Sequence, residues 1–241
     1  MQHDQVVIML HSSKTMRASS PQAPRRQPAL IREAKQLANL LKSLPAAELQ
    51  NAMHISGELA AKTKLTVDAW SEKGTTLAID SFIGDIYSGL RAGELTAAER
   101  DYADSVLWIL SGLYGYLRPY DAINPYRLEM GYKLPGAPFK NLYDFWGDKI
   151  AAQLPQEGTV VNVSSVEYTK TVLPFVGANR VVTPQFLTVN PKTGQPGFTA
   201  VHAKIARGAF ARWLITTKIT DPKRFKEFAD LGYRFDETRS T

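Results

Sequence analysis

Gln5-Val6-Val7-Ile8-Met9-Leu10 runs straight into His11-Ser12-Ser13-Lys14-Thr15, and this passage decides the fold. An apolar run rich in β-branched residues, without polar alternation, reads as a strand buried on both faces. Such a strand lies inside a sheet covered by helices, and polar residues delivered at its end are a common place for a site. Helical patterns outnumber strand patterns in the rest of the chain, and strand patterns sit near both ends. The expected architecture is α+β: a single mixed α/β domain over residues 1–241, with a central mixed sheet and flanking helices.

Working outward, Leu30, Ala34, Leu37, Ala38, Leu41 and Leu44 mark one helical face, and Pro45 opens a second helix. The apolar set Leu77, Ile79, Phe82, Ile83, Ile86 and Leu90 predicts a helix over 75–90. Thr96-Ala97-Ala98-Glu99 has capping-box spacing and predicts a helix that ends in Trp108-Ile109-Leu110. Asn141 is a good N-cap for a helix bearing Leu142, Phe145, Trp146 and Ile150. Thr159 to Val163, Arg180 to Val189 and Thr199 to His202 read as strands. Ala203 to Lys218 reads as a helix, and Asp221-Pro222 starts a short one. Residues 17–28, rich in Pro, Arg, Ser and Gln, read as an exposed, mobile loop.

Composition excludes several classes. With 44% hydrophobic and 22% charged residues in 241, the chain can bury a full core. Zero cysteines rule out disulfides, thiolate metal sites and thiol redox chemistry. The apolar runs fall far short of the roughly 18 to 20 residues of a membrane span, so no membrane association is expected. Met1-Gln2-His3-Asp4 lacks the features of a secretory signal, and the expected location is cytoplasmic. Lys14-Thr15 lacks the preceding glycines of a Walker loop, and no Gly-x-Ser-x-Gly elbow occurs. His3, His11, His54 and His202 have no metalloprotease spacing, so no metal site and no cofactor is expected.

The net charge of +6 is unevenly spread. Residues 1–35 hold six Lys and Arg against two Asp and Glu, residues 36–110 six against ten, and residues 201–241 nine against five. Two basic ends that met in the fold would make a face suited to phosphate.

Four polar clusters could carry chemistry. In Ile109-Leu110-Ser111-Gly112-Leu113-Tyr114-Gly115-Tyr116-Leu117-Arg118, a helix end followed by glycines three apart matches the hairpin of a helix-hairpin-helix element. There Gly112 and Gly115 would admit a DNA phosphate to the backbone N–H groups, and Arg118 would add charge. A glycine cap leading into a packed turn explains the same residues. Tyr126-Arg127-Leu128-Glu129 holds an Arg–Glu pair. In Asn162 to Tyr168, Ser164 and Glu167 have capping-box spacing. Lys204 and Arg207 share a helix face.

These residues carry a resemblance. Gly112 to Pro119, Pro125-Tyr126-Arg127-Leu128-Glu129-Met130-Gly131 and Leu142-Tyr143-Asp144-Phe145-Trp146-Gly147-Asp148 follow one another as in the YaaA peroxide-stress family. Phe82 to Leu90, Asn162 to Tyr168 and Ala203 to Gly208 match as well, so the chain resembles that family over nearly its whole length. The resemblance implies a cytoplasmic bacterial protein with a helix-hairpin-helix, a basic cleft and affinity for duplex DNA. It further implies a link to surviving hydrogen peroxide by limiting free iron and the damage it causes. Two departures stand out. The family's Ser-Pro-Ala-Lys-Thr is His11-Ser12-Ser13-Lys14-Thr15 here, without the proline. Family members also tend to continue past Gly-Tyr-x-Phe-Asp with a basic strand, and this sequence ends at Thr241.

Two functions follow as expectations. In the first, non-specific binding of double-stranded DNA, phosphates lie against Gly112 and Gly115, with Lys14, Arg118, Arg127, Lys204 and Arg207 lining the basic cleft. In the second, the same cleft is the pocket of an enzyme acting on an anionic, nucleotide-like small molecule. Lys14 or Lys204 then stabilises charge, Glu167 or Tyr168 exchanges protons, and Ser12 or Ser165 orients the substrate.

Overall fold

The computed structural model describes residues 5–17 and 22–240. Met1 to Asp4, read above as lacking a signal, and residues 18–21 of the expected loop lie outside them.

The opening strand, β1 (Val6–His11), is the middle of a five-stranded sheet, and Val6 to Leu10 are each at most 3% exposed. On one side it pairs in parallel with β5 (Leu107–Ser111), which continues antiparallel to β6 (Gly115–Leu117). On the other it pairs in parallel with β8 (Thr159–Asn162), which pairs in parallel with β9 (Val181–Val182). The sheet is therefore mixed, as the sequence predicts. Two-residue pairings brace the connections: β2 (Thr15–Met16) with β4 (Phe82–Ile83), β3 (Thr76–Leu77) with β7 (Ala122–Ile123), and β10 (Thr188–Val189) with β11 (Pro196–Gly197).

Helices flank the sheet. α1 (Ile31–Ser43) buries Ala34, Leu37, Ala38 and Leu41, the predicted stripe. α2 (Ala46–Met53) follows Pro45, and α3 (Gly57–Ala69) is capped by the Ser56 hydroxyl. The single helix expected over 75–90 is instead β3, α4 (Ala78–Ser81), β4 and α5 (Asp85–Leu90). Cross-strand partners at Ile123 and Thr15 claim its residues, and Gly84 at φ 143° breaks the run where only glycine is at ease. α6 (Ala97–Val106) begins with the full capping box between Thr96 and Glu99.

That helix stops at Val106, and Leu107-Trp108-Ile109-Leu110-Ser111 is β5, not a helix end. All five residues are buried, so no polar face marks a period, and pairing with β1 settles the conformation. Gly112 to Tyr114 then form the turn of a β-hairpin, and the expected helix-hairpin-helix is absent at this position.

α7 (Leu142–Trp146) starts at Asn141, whose side chain accepts from the Asp144 N–H, and α8 (Val166–Thr169) follows β8. The expected strand at Thr199 to His202 is the beginning of α9 (Ala200–Thr217), where β-branched Thr199 serves as the N-cap position. Between Arg180 and Val189 only β9 and β10 are strand. Residues 22–28 of the expected mobile loop are tied down: Arg25 pairs with Asp101 at 2.7 Å, and Arg26 with Asp104 and Asp121 at 2.6 and 2.7 Å.

α9 is seated by glycine. A Cβ on Gly208 would lie 1.8 Å from the Ile86 carbonyl oxygen, and one on Gly89 2.0 Å from that of Ile205. α5 and α9 therefore touch backbone to backbone, which fixes Lys204 and Arg207 relative to the sheet. No helix among the described residues is long and apolar enough to cross a membrane.

Candidate functional site: a pocket at the end of the central strand

Two parallel strands flank β1, β5 on one side and β8 on the other, so the connections leaving β1 and β8 diverge. This is the topological switch point at which open α/β sheets bind ligands, outside the carboxyl ends of the strands. A cavity of about 450 Å³ opens there. Its walls are His11 to Thr15 after β1, Gly84 to Ile86 at the start of α5, Glu129, residues Ser165, Glu167 and Tyr168 around α8, and Lys204 of α9. Four of the five separated clusters thus meet: 11–15, 126–129, 162–168 and 204–207.

Their partners differ from those the spacing implies. Glu129 pairs with Lys14 at 3.0 Å, not with Arg127, and the bond to Glu129 raises the Lys14 pKa. Arg127 instead donates to the Lys14 carbonyl at 3.3 Å, and its buried Nε has no hydrogen-bond partner among the described residues. Glu167 forms no capping box with Ser164. Ser165 is the N-cap, and the Glu167 carboxylate accepts from the Gly131 N–H at 2.8 Å, tying α8 to the 126–131 segment. Ser12 donates to the Tyr168 hydroxyl at 3.4 Å. Burial holds the Tyr168 pKa well above its ordinary value, so this phenol stays protonated and serves as a hydrogen-bonding group, not a base.

His11 was not singled out by the sequence, although its place at the end of a buried strand is the signal that marks it. Its ring stacks on Tyr168, centroids 5.2 Å apart, and the Tyr87 hydroxyl donates to its carbonyl at 2.9 Å. Burial, followed by the charges of Arg207 and Lys204, lowers its pKa to about 4, so the imidazole is neutral at pH 7. Lys204 is exposed and Arg207 half-buried, and neither has an ion pair or hydrogen bond among the described residues. Desolvation lowers the Arg207 pKa, the mark of a cation held without a counter-charge.

The remaining predicted residues lie elsewhere. Gly112 and Gly115 are buried: a Cβ at Gly112 would sit 2.3 Å from the Leu128 carbonyl oxygen, and one at Gly115 2.9 Å from the Trp146 ring. They let the β-hairpin pack against the core, as the alternative reading has it, and their backbone does not face a phosphate. The Arg118 guanidinium is bound to the Asp104 carbonyl at 2.6 and 2.9 Å. Elsewhere in the fold, α2 and α3 are consecutive helices with a three-residue connection. The two are joined by His54 in the left-handed conformation (φ 52°), Ile55 and Ser56. Nearby charge is mixed: Lys62 pairs with Glu58, and Lys64 with Asp68.

Comparison with known proteins identifies the family. The family described as "Peroxide stress protein YaaA" matches residues 6–239. A UPF0246 protein of Salinispora tropica is 51% identical over 239 residues, covering 98% of this chain and 90% of the relative. UPF0246 proteins of Burkholderia lata and Cupriavidus metallidurans are each 38% identical, covering 98% of this chain and 95% of the relative. With the match running from the first strand through the pocket to the C-terminal segment, the chain belongs to the YaaA peroxide stress protein family.

Proposed function

We propose that this family member acts in peroxide stress through the strand-end pocket, by binding an anionic, nucleotide-like small molecule as the substrate of an enzyme. The observation that carries this is the convergence of Lys14, Glu129, Glu167, Tyr168 and Lys204 on one 450 Å³ cavity at the switch point of the sheet. The lining is amphoteric. Lys204, with Arg207 one helical turn behind it, offers charge to an anion, while Glu129, Glu167 and Asp85 offer acceptors to N–H or O–H groups. That mixture fits a small molecule with an anionic end and a donor-rich end, as in a mononucleotide, better than a continuous polyanion, which the carboxylates would repel. With no cysteine in the chain, peroxide is not reduced by a thiol here. Calorimetric titration of the full chain with purine and pyrimidine nucleoside monophosphates is the test. The expected result is one site per chain, weakened about tenfold by Lys204→Ala. No heat from any of them at millimolar ligand would overturn the reading.

A second reading, non-specific binding of duplex DNA that limits iron-dependent damage, rests on a separate observation. The α2–α3 pair at residues 46–69, which we read as a helix-hairpin-helix, exposes Ser56, Gly57 and Glu58 at the start of α3, where backbone N–H groups can meet a phosphate. Lys14, Arg127, Lys204 and Arg207 would add charge from the pocket rim. Duplex affinity should then fall with salt at a log–log slope of about −0.9 per phosphate contacted. Gly57→Asp has room for its side chain, with only Gln50 within 4 Å of the Cβ position. It should weaken duplex binding about tenfold and leave nucleotide binding unchanged. A salt-independent or absent duplex shift in the unaltered protein removes this reading.

A further inference from the structure

The Ser165 backbone N–H lies 3.1 Å from His11 Nδ1, with the Ser164 hydroxyl at 3.3 Å. A backbone N–H can only donate, so Nδ1 must be the acceptor. A neutral ring whose Nδ1 accepts carries its proton on Nε2. Among the described residues Nε2 has no hydrogen-bond partner, and His11 is part of the cavity wall. The ring cannot turn over without giving up the Ser165 bond, while the stack on Tyr168 fixes its plane. Two cations, Lys204 and Arg207, stand one helical turn apart on α9, near enough to depress the imidazole pKa, and neither has a counter-ion among the described residues. Among the described residues, three donors without acceptors therefore stand together: His11 and Lys204 in the cavity wall, and Arg207 one turn along α9 from Lys204 and close enough to act on His11.

We propose that His11 Nε2–H, Lys204 and Arg207 form an oxyanion subsite that holds the phosphate of a phosphate-ester ligand, with His11 acting as a tautomer-locked neutral donor. The inference rests on the pocket reading above and gives its ligand a polarity: phosphate toward α9, donor groups toward Glu129 and Glu167. A protonated imidazole is not required, because the two cations supply the charge and the ring supplies a directed N–H. The charges that act on the ring are Arg207 and Lys204 from α9, Tyr168 of α8 stacks on it, and the carboxylates of the same cavity are Asp85 of α5, Glu129 and Glu167 of α8. Among the described residues no carboxylate is bonded to the ring, whose Nδ1 meets only Ser164 and Ser165. Binding through His11 should accordingly show no step near pH 6.5.

The test uses the full chain, ¹⁵N-labelled, with inorganic phosphate, adenosine 5′-monophosphate and adenosine as probes. Imidazole ¹⁵N spectra should show His11 as the Nε2–H tautomer, unchanged from pH 8 to pH 5, and the monophosphate should shift that N–H. His11→Asn can still accept from Ser165 through Oδ1 but has no donor at the Nε2 position. It should keep the fold and lose at least tenfold in monophosphate affinity, as should Arg207→Ala, while adenosine affinity stays level. A Nδ1–H tautomer, titration near pH 6.5, or equal affinity for adenosine and its monophosphate would overturn the subsite. So would undiminished binding by His11→Asn. If Lys204→Ala still weakens binding in those cases, the pocket reading stands without the subsite. If no probe binds the unaltered protein, both fall.

Discussion

At the scale of single residues, two buried groups titrate in opposite senses. His11 is pushed down to about 4 from the ordinary 6.5, so its contribution to stability is present above pH 6.5 and lost as the pH falls from 6.5 to 4. The shift of about 2.5 units corresponds to ~3 kcal/mol. Asp121 is pushed up to about 6, because burial outweighs its bonds to Arg26 and the Arg118 N–H. Its contribution is present below its unfolded pKa of about 4 and lost as the pH rises through 6. On acidification from pH 7 to 4 the two offset each other. Urea unfolding of His11→Asn should therefore show stability that rises toward pH 4 relative to the unaltered protein, and Asp121→Asn should show a relative fall. Parallel pH profiles for all three proteins would contradict the assignment of these shifts.

Elements are held by backbone contacts that a sequence pattern does not display. At the α5–α9 crossing and at Gly112 of the β5–β6 turn, glycine is needed for space and not for its dihedral freedom, whereas Gly115, at φ 71°, needs both. Gly208→Val should cost about 3 kcal/mol or more, since the clash is with the Ile86 carbonyl and backbone cannot swing aside. Gly112→Val should do the same through Leu128. Both should show as loss of soluble folded protein and a lower melting temperature. Gly112→Val that folds normally but fails to bind DNA would restore a phosphate role to that turn. A milder prediction concerns α8. Glu167→Gln retains an oxygen for the Gly131 N–H, so the melting temperature should stay within a degree or two while the pocket loses a negative charge.

For the whole molecule, what the sequence by itself determined is whatever depends on neighbours along the chain. The buried strand Val6 to Leu10, the Thr96–Glu99 capping box, the Asn141 cap and the α1 stripe were legible because each has a local periodicity or a fixed spacing. The polar residues at the end of β1 were legible as a site for the same reason. Tertiary structure decided the rest. Residues 107–111 are buried on every side, and the apolar residues of 75–90 fit a helical spacing although the segment is divided, so period cannot separate helix from strand, and only the partners Ile123, Thr15 and Ile8 to His11 do. Spacing also paired Arg127 with Glu129 and Ser164 with Glu167. In the fold Glu129 reaches Lys14 and Glu167 reaches Gly131. The glycines at 112 and 115 looked alike as a turn for phosphate and as a turn for packing, and the difference lies in Leu128 and Trp146, distant in sequence. A pocket is a meeting of chain segments, and its ion pairs form between whichever charges the sheet brings within reach.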